Sequence, residues 1–188
     1  MATEDRERWD RRFATADPGR PGPPSALVGR EDLVPVREAR PGGAGAGRAL
    51  DLACGRGTVA VWLAARGYAT TAVDVSPEAL RLTAELAATE GVAVTTVRAD
   101  LDDGLPTAAT GPVDVVVCQR FRDPALYPVL PRLLRPGGLL VVTVLSSVGD
   151  TGGPFRAAPG ELHAAFSHLE VLVDEEGLGE AHLVARVP

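Results

Sequence analysis

A glycine-rich turn is the first segment of this chain whose residue types and spacing suggest chemistry. The segment Asp51-Leu-Ala-Cys-Gly-Arg-Gly57 joins a predicted strand, residues 48–53, to a predicted helix, residues 58–66. Glycines at such a turn let the backbone approach a ligand closely, in the crevice at the carboxyl edge of a parallel sheet. The pattern Gly55-x-Gly57-x-x-Ala60 also fits the dinucleotide-binding fingerprint, so the turn alone does not identify the ligand.

Two further aspartates come directly after the next two predicted strands. Asp74 stands where a carboxylate can accept hydrogen bonds from both ribose hydroxyls of an adenosine, but dehydrogenases carry such an acid as well. Asp100 separates the two possibilities, because a carboxylate there could accept from the adenine amino group while the Leu101 backbone meets the ring edge. The alternative is that Asp100, Asp102 and Asp103 form a solvated turn.

The elements that position these residues alternate between strand and helix. Near-continuous Val and Leu runs are typical of strands buried on both faces of a parallel sheet. The predicted strands span residues 48–53, 69–74, 92–98, 113–118, 139–145, 169–174 and 181–187. The last two are joined by a short glycine-containing loop, which indicates an antiparallel hairpin. We predict one doubly wound, Rossmann-like α/β sheet, mostly parallel with a terminal antiparallel hairpin and helices on both faces.

The N-terminal region differs from this rhythm. Residues 4–14 predict an amphipathic helix with Trp9 and Phe13 four positions apart, which favours a packing stripe over a lid on the site. The region is too short for a core of its own. We therefore predict an N-terminal helical cap, residues 1–40, that covers the cleft of the main domain, residues 41–188.

Taken in order, the motifs resemble those of class I S-adenosylmethionine-dependent methyltransferases. The resemblance covers about residues 48–145, and the terminal hairpin is similar to the family's final reversed strand. It rests on Asp51 to Gly57, Val73-Asp-Val-Ser76, Ala99-Asp-Leu101, Asp114-Val-Val-Val-Cys118 and Leu133-Leu-Arg-Pro-Gly-Gly-Leu-Leu140. The small size and Glu7-Arg-Trp-Asp10 resemble tellurite-resistance and thiol-methyltransferase-like proteins within that class.

The resemblance implies S-adenosylmethionine as cofactor and a role for each matching position. Asp51 would support the methionine amino group, directly or through water, Asp74 would hold the ribose, and Val75 would pack on adenine. The implied cofactor-binding residues are Asp51, Ala53, Cys54, Gly55, Gly57, Asp74, Val75, Ser76, Asp100, Leu101 and Cys118. Ser76 also suits the N-cap of the next helix. Ala53 departs from the family, because many members have glycine there.

The acceptor side is predicted from the residues directly after the fourth strand. Gln119-Arg-Phe-Arg122 lacks the Asn/Asp-Pro-Pro-Tyr/Phe pattern of amino-methylating enzymes, which puts an exocyclic amine acceptor in doubt. We predict Gln119 and Arg120 as the catalytic residues: Gln119 orients the acceptor, and Arg120 or Arg156 favours its anion. Arg120 and Arg122 are alternatively solvated. The histidines are expected to be structural or exposed, and His163 is the one for which the alternative is a place near the cleft.

The scarcity of proton acceptors favours a soft or acidic nucleophile on a small molecule. The chain has no Lys, two Tyr, and three His that all lie after residue 160. A neutral hydroxyl acceptor would need a general base, whereas a thiol, a chalcogen oxyanion or an acidic phenol or carboxylate would not. Two alternatives stay open: an NAD(P)-dependent oxidoreductase on a similar sheet, and a catalytically inactive methyltransferase-like binding subunit.

Composition excludes several partners. The net charge is −6 and the arginines are dispersed, which disfavours nucleic acid. No apolar run is long enough to span a bilayer, and no secretory signal is evident, so we expect a cytoplasmic monomer or homodimer. Cys54 and Cys118 are expected to lie close together at the sheet edge as unpaired thiols. The histidines and cysteines lack metal-ligand spacing, so no metal is predicted.

Overall fold

The computed structural model describes residues 3–37, 47–150 and 152–188. Within these residues the chain forms one seven-stranded sheet flanked by four α-helices, with short 3-10 turns between them. In chain order the elements are α1 (Thr3–Ala14), β1 (Gly47–Leu52), α2 (Thr58–Ala65), β2 (Tyr68–Asp74), α3 (Pro77–Thr89), β3 (Val94–Arg98), β4 (Val113–Gln119), β5 (Leu134–Leu145), α4 (Glu161–Phe166), β6 (Glu170–Gly177) and β7 (Glu180–Arg186).

The strand order is β3-β2-β1-β4-β5-β7-β6. β1 to β5 run parallel, and β7 is antiparallel to both β5 and β6. The order reverses between β1 and β4, which makes the crevice at their carboxyl ends the expected ligand position. The predicted doubly wound sheet with a terminal antiparallel hairpin is confirmed. The expected closeness of the cysteines is in line with this order, since Leu52, two residues before Cys54, pairs with Cys118.

Alternation along the central strands divides the core between the two faces of the sheet. On one face, Leu50 and Leu52 pack in a cluster with Phe166 of α4. On the other face, Ala49 packs in a cluster with Leu63 of α2. Successive strand residues point to opposite faces, so the central strands bury apolar side chains on both. These layers fix the strand ends on which the site is built.

The N-terminal region has two parts with different roles. α1 lies over the carboxyl edge of the sheet, whereas Ala26, Leu27 and Val34 are buried in the core on the α2 face. The Arg66 guanidinium holds this second part by donating to the Val34 carbonyl oxygen at 2.7 Å. The predicted boundary at residue 40 lies in the segment 38–46, outside the described residues, so the division into cap and main domain stays a prediction.

β5 starts earlier than the Leu139 predicted from the sequence. Val113 pairs with Leu134, and the register then shifts before the regular pairing of the two strands. The Gly137 amide donates to the Val187 carbonyl oxygen at 2.8 Å, and the Val187 amide donates to the Gly138 carbonyl oxygen at 3.0 Å. The Pro-Gly-Gly segment looks like a turn in sequence, yet these bonds attach it to the sheet.

Candidate functional site

The turn after β1 has the left-handed backbone that its glycines allow. Gly55 has φ 53° and Gly57 φ 73°, and Ala53 takes the same conformation with φ 55°. A residue with a Cβ is strained there by about 1–2 kcal/mol, and such strain often accompanies functional sites. A Cβ at Gly57 would lie 2.4 Å from the Thr83 side chain. Gly57 is therefore needed to pack the turn against α3.

Asp74 ties this turn to the start of α3. One carboxylate oxygen accepts from the Gly55 amide at 2.8 Å, and the other accepts from the Ser76 amide at 2.9 Å. Burial raises the pKa of Asp74, and the two backbone amides partly counter that effect. Each carboxylate oxygen can accept a second hydrogen bond, so a ligand's hydroxyl groups can bind without breaking the turn.

Asp51 lies beneath the turn as a buried carboxyl with an unmet hydrogen-bonding need. Its side chain is 2% exposed, and its Oδ2 has no partner among the described residues. Burial raises the pKa of Asp51 to about 8, with the charge of Asp74 adding to the effect. A nearby cation would favour the ionised form. An orphaned acidic oxygen here fits the ammonium group of an amino-acid ligand.

α1 forms the roof of the cleft. The Trp9 and Phe13 rings stack with their centroids 5.9 Å apart, and both line the cavity beneath. The Ser76 hydroxyl donates to Asp10 at 2.5 Å, which fastens the roof to the N-cap of α3. A Cβ on Gly55 would lie 3.4 Å from the Phe13 ring. The favoured packing stripe is thus also part of the cleft wall.

Beneath this roof lies a cavity of about 480 Å³, a size typical of cofactor sites. We call it the cofactor cleft. Its walls combine predicted site residues with the roof, and the lining residues are Trp9, Arg12, Phe13, Ala16, Ala53, Cys54, Gly55, Arg56, Asp74, Val75, Ala99, Leu101, Gln119, Arg120 and Phe121. Residues from the ends of β1, β2 and β4, with those directly after β3, therefore meet at one place, as the sequence predicts.

Five predicted cofactor residues lie outside the lining of this cleft. Asp51 lies below the turn, Gly57 packs on Thr83, and Ser76 caps α3 by accepting from the Ala79 amide at 3.2 Å. Asp100 lies at the edge, where it accepts from the Asp102 amide at 3.1 Å. Cys118 was expected to face the methionine end, but its thiol is buried in the core. Burial raises the pKa of Cys118 to about 12.

Gln119 lines the cleft with its carbonyl oxygen already engaged. That oxygen accepts from the Ser25 amide at 2.7 Å and from the Ser25 hydroxyl at 3.0 Å. The Ser25 hydroxyl is also 3.3 Å from the Thr143 hydroxyl, which is 3.2 Å from Nδ1 of His182. The sequence does not indicate this chain of polar groups. Gln119 pairs with Thr143 across β4 and β5, and Thr143 pairs with His182 only because β7 lies beside β5.

A second, larger cavity of about 870 Å³ adjoins the first. We call it the acceptor chamber. The two cavities share Trp9, Arg12, Arg120 and Phe121. The remaining lining residues of the chamber are Arg8, Asp102, Arg122, Asp123, Ala125, Leu145, Pro154, Phe155 and Glu180. A ligand in the chamber therefore contacts the same wall as a ligand in the cleft.

The predicted anion-binding arginines differ in their positions and in their hydrogen-bond partners. Arg120 lines both cavities, has φ 54°, and bonds to Glu180 at 2.8 Å. Arg122 lines the chamber but makes two bonds of 2.7 Å to Glu161, which also accepts from the Tyr127 hydroxyl. Arg156 lines neither cavity, because it is held in the loop after β5 by the Ser146 carbonyl. Its expected role at the acceptor is not supported.

The histidines differ in how they relate to the two cavities. His163 is 61% exposed, bonds to Asp174 at 2.6 Å, and lines neither cavity. The histidine joined to the site is His182, through the hydroxyl of Thr143. Among the described residues, no three His, Cys, Asp or Glu side chains are grouped as metal ligands. In the same part of the chain, no helix has the length and apolar character needed to cross a membrane.

Comparison with known proteins supports the predicted family resemblance. Residues 49–138 match the model of the methyltransferase domain. These residues contain the turn after β1, Asp74 and Asp100, which carry the predicted cofactor contacts. This match agrees with the resemblance to the class I S-adenosylmethionine-dependent methyltransferases predicted from the motifs. The cofactor of this family is S-adenosylmethionine, and Asp74 and Asp51 supply acids that fit its ribose and its amino group.

Curated relatives of this chain include the ubiquinone biosynthesis O-methyltransferases. The protein from Caulobacter sp. (strain K31) is 35% identical over 104 residues, which is 53% of this chain and 41% of the relative. The protein from Xanthomonas campestris pv. campestris (strain B100) is 32% identical over 122 residues, covering 62% of this chain and 49% of the relative. The matches thus span less than half of the relatives' length.

Solved structures agree in fold over nearly the whole chain. TehB from Haemophilus influenzae has a TM-score of 0.70 at 18% identity, covering 97% of this chain and 67% of that one. A methyltransferase from Clostridium acetobutylicum has a TM-score of 0.64 at 13% identity and covers 98% of both chains. At these identities the likeness shows the shared fold and nothing about the acceptor.

Proposed function

We propose that this chain transfers a methyl group from S-adenosylmethionine to a small-molecule acceptor. The observation that carries the proposal is the pair of adjoining cavities with a common wall. The cofactor cleft is lined by Asp74, an acid suited to the ribose of an adenosine, and the acceptor chamber meets it at Trp9, Arg12, Arg120 and Phe121. The buried Asp51, an acid suited to an ammonium group, lies outside that lining, beneath the turn. In this proposal the donor would lie in the cleft and the acceptor would lie next to it in the chamber, in contact at their junction.

Residues in the cleft and beneath it would hold each part of the cofactor. Asp74 would accept the ribose hydroxyls, Val75 and Leu101 would pack on adenine, and Asp51 would balance the ammonium group. When bound, S-adenosylmethionine supplies a sulfonium methyl group: an acceptor lone pair forms the new bond as the carbon–sulfur bond breaks, and neutral S-adenosylhomocysteine leaves. The protein's main task is then to align the acceptor in line, within about 3–3.5 Å of the methyl carbon.

The walls favour an acceptor that ionises without help. Among the described residues, neither cavity is lined by a His or Tyr, and the chain has no Lys. Of the three carboxylates that line the chamber, Glu180 is bonded to Arg120, Asp123 accepts from the Ala125 amide, and Asp102 belongs to the short turn after β3. With the carbonyl oxygen of Gln119 bound by Ser25, its amide N–H groups are the part that would orient an acceptor oxygen or sulfur. A soft or acidic nucleophile on a small molecule therefore fits the chamber.

Formation of S-adenosylhomocysteine, measured by mass spectrometry, tests the proposal. The acceptor panel contains a thiol, an acidic phenol, an aromatic carboxylate and a chalcogen oxyanion, with a neutral aliphatic alcohol as control. The O-methyltransferase relatives support including oxygen acceptors. We expect turnover with at least one ionised acceptor and none with the alcohol. Binding without any turnover would instead support an inactive binding subunit, and NAD-dependent oxidation or reduction would support an oxidoreductase.

A further inference from the structure

The acceptor chamber has an aromatic wall. Trp9 and Phe121 lie at the junction with the cofactor cleft, and Phe155 lines only the chamber. Phe155 is 56% exposed and has φ 66°. An exposed phenylalanine gains no burial in the free protein, so its ring is available to pack on a ligand.

The arginines in the wall differ in whether a carboxylate of the described residues pairs with them. Arg120 is paired with Glu180 at 2.7 Å, and Arg122 is paired with Glu161 at 2.7 Å. Arg12, at the junction of the two cavities, is paired with no carboxylate in the part of the chain that the structure describes. Its guanidinium lies 5.3 Å from the centre of the Trp9 ring. An anionic group on a ligand would form an ion pair with the Arg12 guanidinium.

The other charged groups do not favour a cationic ligand. The Trp9 ring already has the guanidinium groups of Arg8 and Arg12 at 5.5 and 5.3 Å, so its capacity to attract cations is taken up. The chamber is lined by the guanidinium groups of Arg8, Arg12, Arg120 and Arg122 and by the carboxylates of Asp102, Asp123 and Glu180, so its lining side chains carry a net positive charge. The volume of about 870 Å³ accommodates a bicyclic ring system.

We propose that the acceptor is a planar aromatic molecule bearing an anionic group, with its ring against Phe121 and Phe155 and its anion on Arg12. This inference rests on the proposed function, because it assigns the chamber to the methyl acceptor. It adds the substrate class, which neither the family nor the relatives determine. The anion is a carboxylate or a phenolate, either the group that is methylated or a substituent that fixes the ring.

Fluorescence of Trp9 provides a readout that does not depend on activity. The chain has two tryptophans, and Trp62 lies on α2 outside both cavities. In a Trp62→Phe background, the protein saturated with S-adenosylhomocysteine is titrated with 2-naphthoate, 2-naphthylmethanol and cyclohexanecarboxylate. We expect 2-naphthoate to bind at least about tenfold more tightly than either the neutral aromatic or the non-aromatic anion.

Variants of Phe155 and Arg12 test the proposed ring contact and the proposed anion contact separately. Phe155→Ala should weaken 2-naphthoate about tenfold, and Arg12→Gln should remove most of the preference for 2-naphthoate over 2-naphthylmethanol. The matched controls are Leu178→Ala, an exposed hydrophobic residue outside both cavities, and Arg81→Gln on α3. Both controls should leave the three affinities unchanged.

The outcomes separate this inference from the proposed function. Equal affinities for 2-naphthoate and 2-naphthylmethanol, or an unchanged Phe155→Ala variant, would overturn the aromatic anion while S-adenosylhomocysteine still binds. If neither the wild-type protein nor the Trp62→Phe protein bound S-adenosylhomocysteine, the proposed function itself would be contradicted. Calorimetry with S-adenosylhomocysteine on each variant distinguishes the two cases.

Discussion

Two buried aspartates at the carboxyl edge of the sheet have opposite hydrogen-bonding states. Asp74 has both oxygens bonded to backbone amides, whereas Asp51 has an oxygen without a partner among the described residues. Burial raises the pKa of both, to about 8 for Asp51. Asp74 is thus already organised in the free protein, and Asp51 gains most from a ligand that brings a positive charge.

Binding of S-adenosylhomocysteine at pH 7 should release close to one proton. With a pKa of about 8, Asp51 is mostly protonated in the free protein at this pH, and a neighbouring ammonium group favours its ionised form. Calorimetry in two buffers with different ionisation enthalpies counts the protons. The Asp51→Asn variant is the control and should release none through this group. Equal proton release by both proteins would remove Asp51 from the methionine site.

Gln119→Ala should lower kcat about tenfold if alignment is the main catalytic effect. His163→Ala and His168→Ala should keep most of kcat, because neither side chain lines a cavity. The comparison uses the best acceptor of the panel, with the affinity for S-adenosylhomocysteine measured for each variant. A histidine variant that alone loses about 10²–10⁴ in kcat, as expected for a lost general base, would contradict the alignment mechanism.

The order of the elements could be predicted from their patterns, but not all of their contacts. The Val and Leu runs predicted the strands because parallel strands are buried on both faces. The sequence did not predict that Ala26, Leu27 and Val34 enter the core, since the surrounding prolines and glycines are typical of a loop. Periodicity carries no information on where an irregular segment packs.

Removing α1 alone should separate binding from folding. A protein that starts at Asp17 keeps Leu27 and Val34, which are fully buried, and loses only the roof. We expect its melting temperature to lie within a few degrees of that of the full chain. Its affinity for S-adenosylhomocysteine should be at least about tenfold weaker. A protein that starts at Pro41 should be strongly destabilised, since losing each buried aliphatic side chain costs about 2–5 kcal/mol.

Thermal unfolding and calorimetry on both truncated proteins check this division. Full affinity for S-adenosylhomocysteine in the protein starting at Asp17 would show that α1 is not part of the cofactor site. A stable fold in the protein starting at Pro41 would show instead that the apolar residues of the N-terminal region are dispensable for the core.

At the scale of the molecule, the cofactor side could be predicted from sequence and the acceptor side could not. The turn after β1, Asp74 and Leu101 lie at or just after the ends of three consecutive strands, where local sequence motifs mark them. A chain of polar contacts links Gln119 to Ser25, Thr143 and His182. It forms only because an N-terminal turn and the reversed strand β7 reach the same edge of the sheet. The acceptor chamber likewise combines loops that are distant in sequence, and no local pattern predicts such a surface.

The most direct test of the central claim is calorimetric titration of the chain with S-adenosylhomocysteine and with NAD. We predict binding of S-adenosylhomocysteine, no binding of NAD, and a loss of at least about tenfold in affinity for a folded Asp74→Ala variant. That loss corresponds to the roughly 1.5–3 kcal/mol contributed by hydrogen bonds to a charged group. Binding of NAD without S-adenosylhomocysteine, or an unchanged affinity in folded Asp74→Ala, would contradict the account.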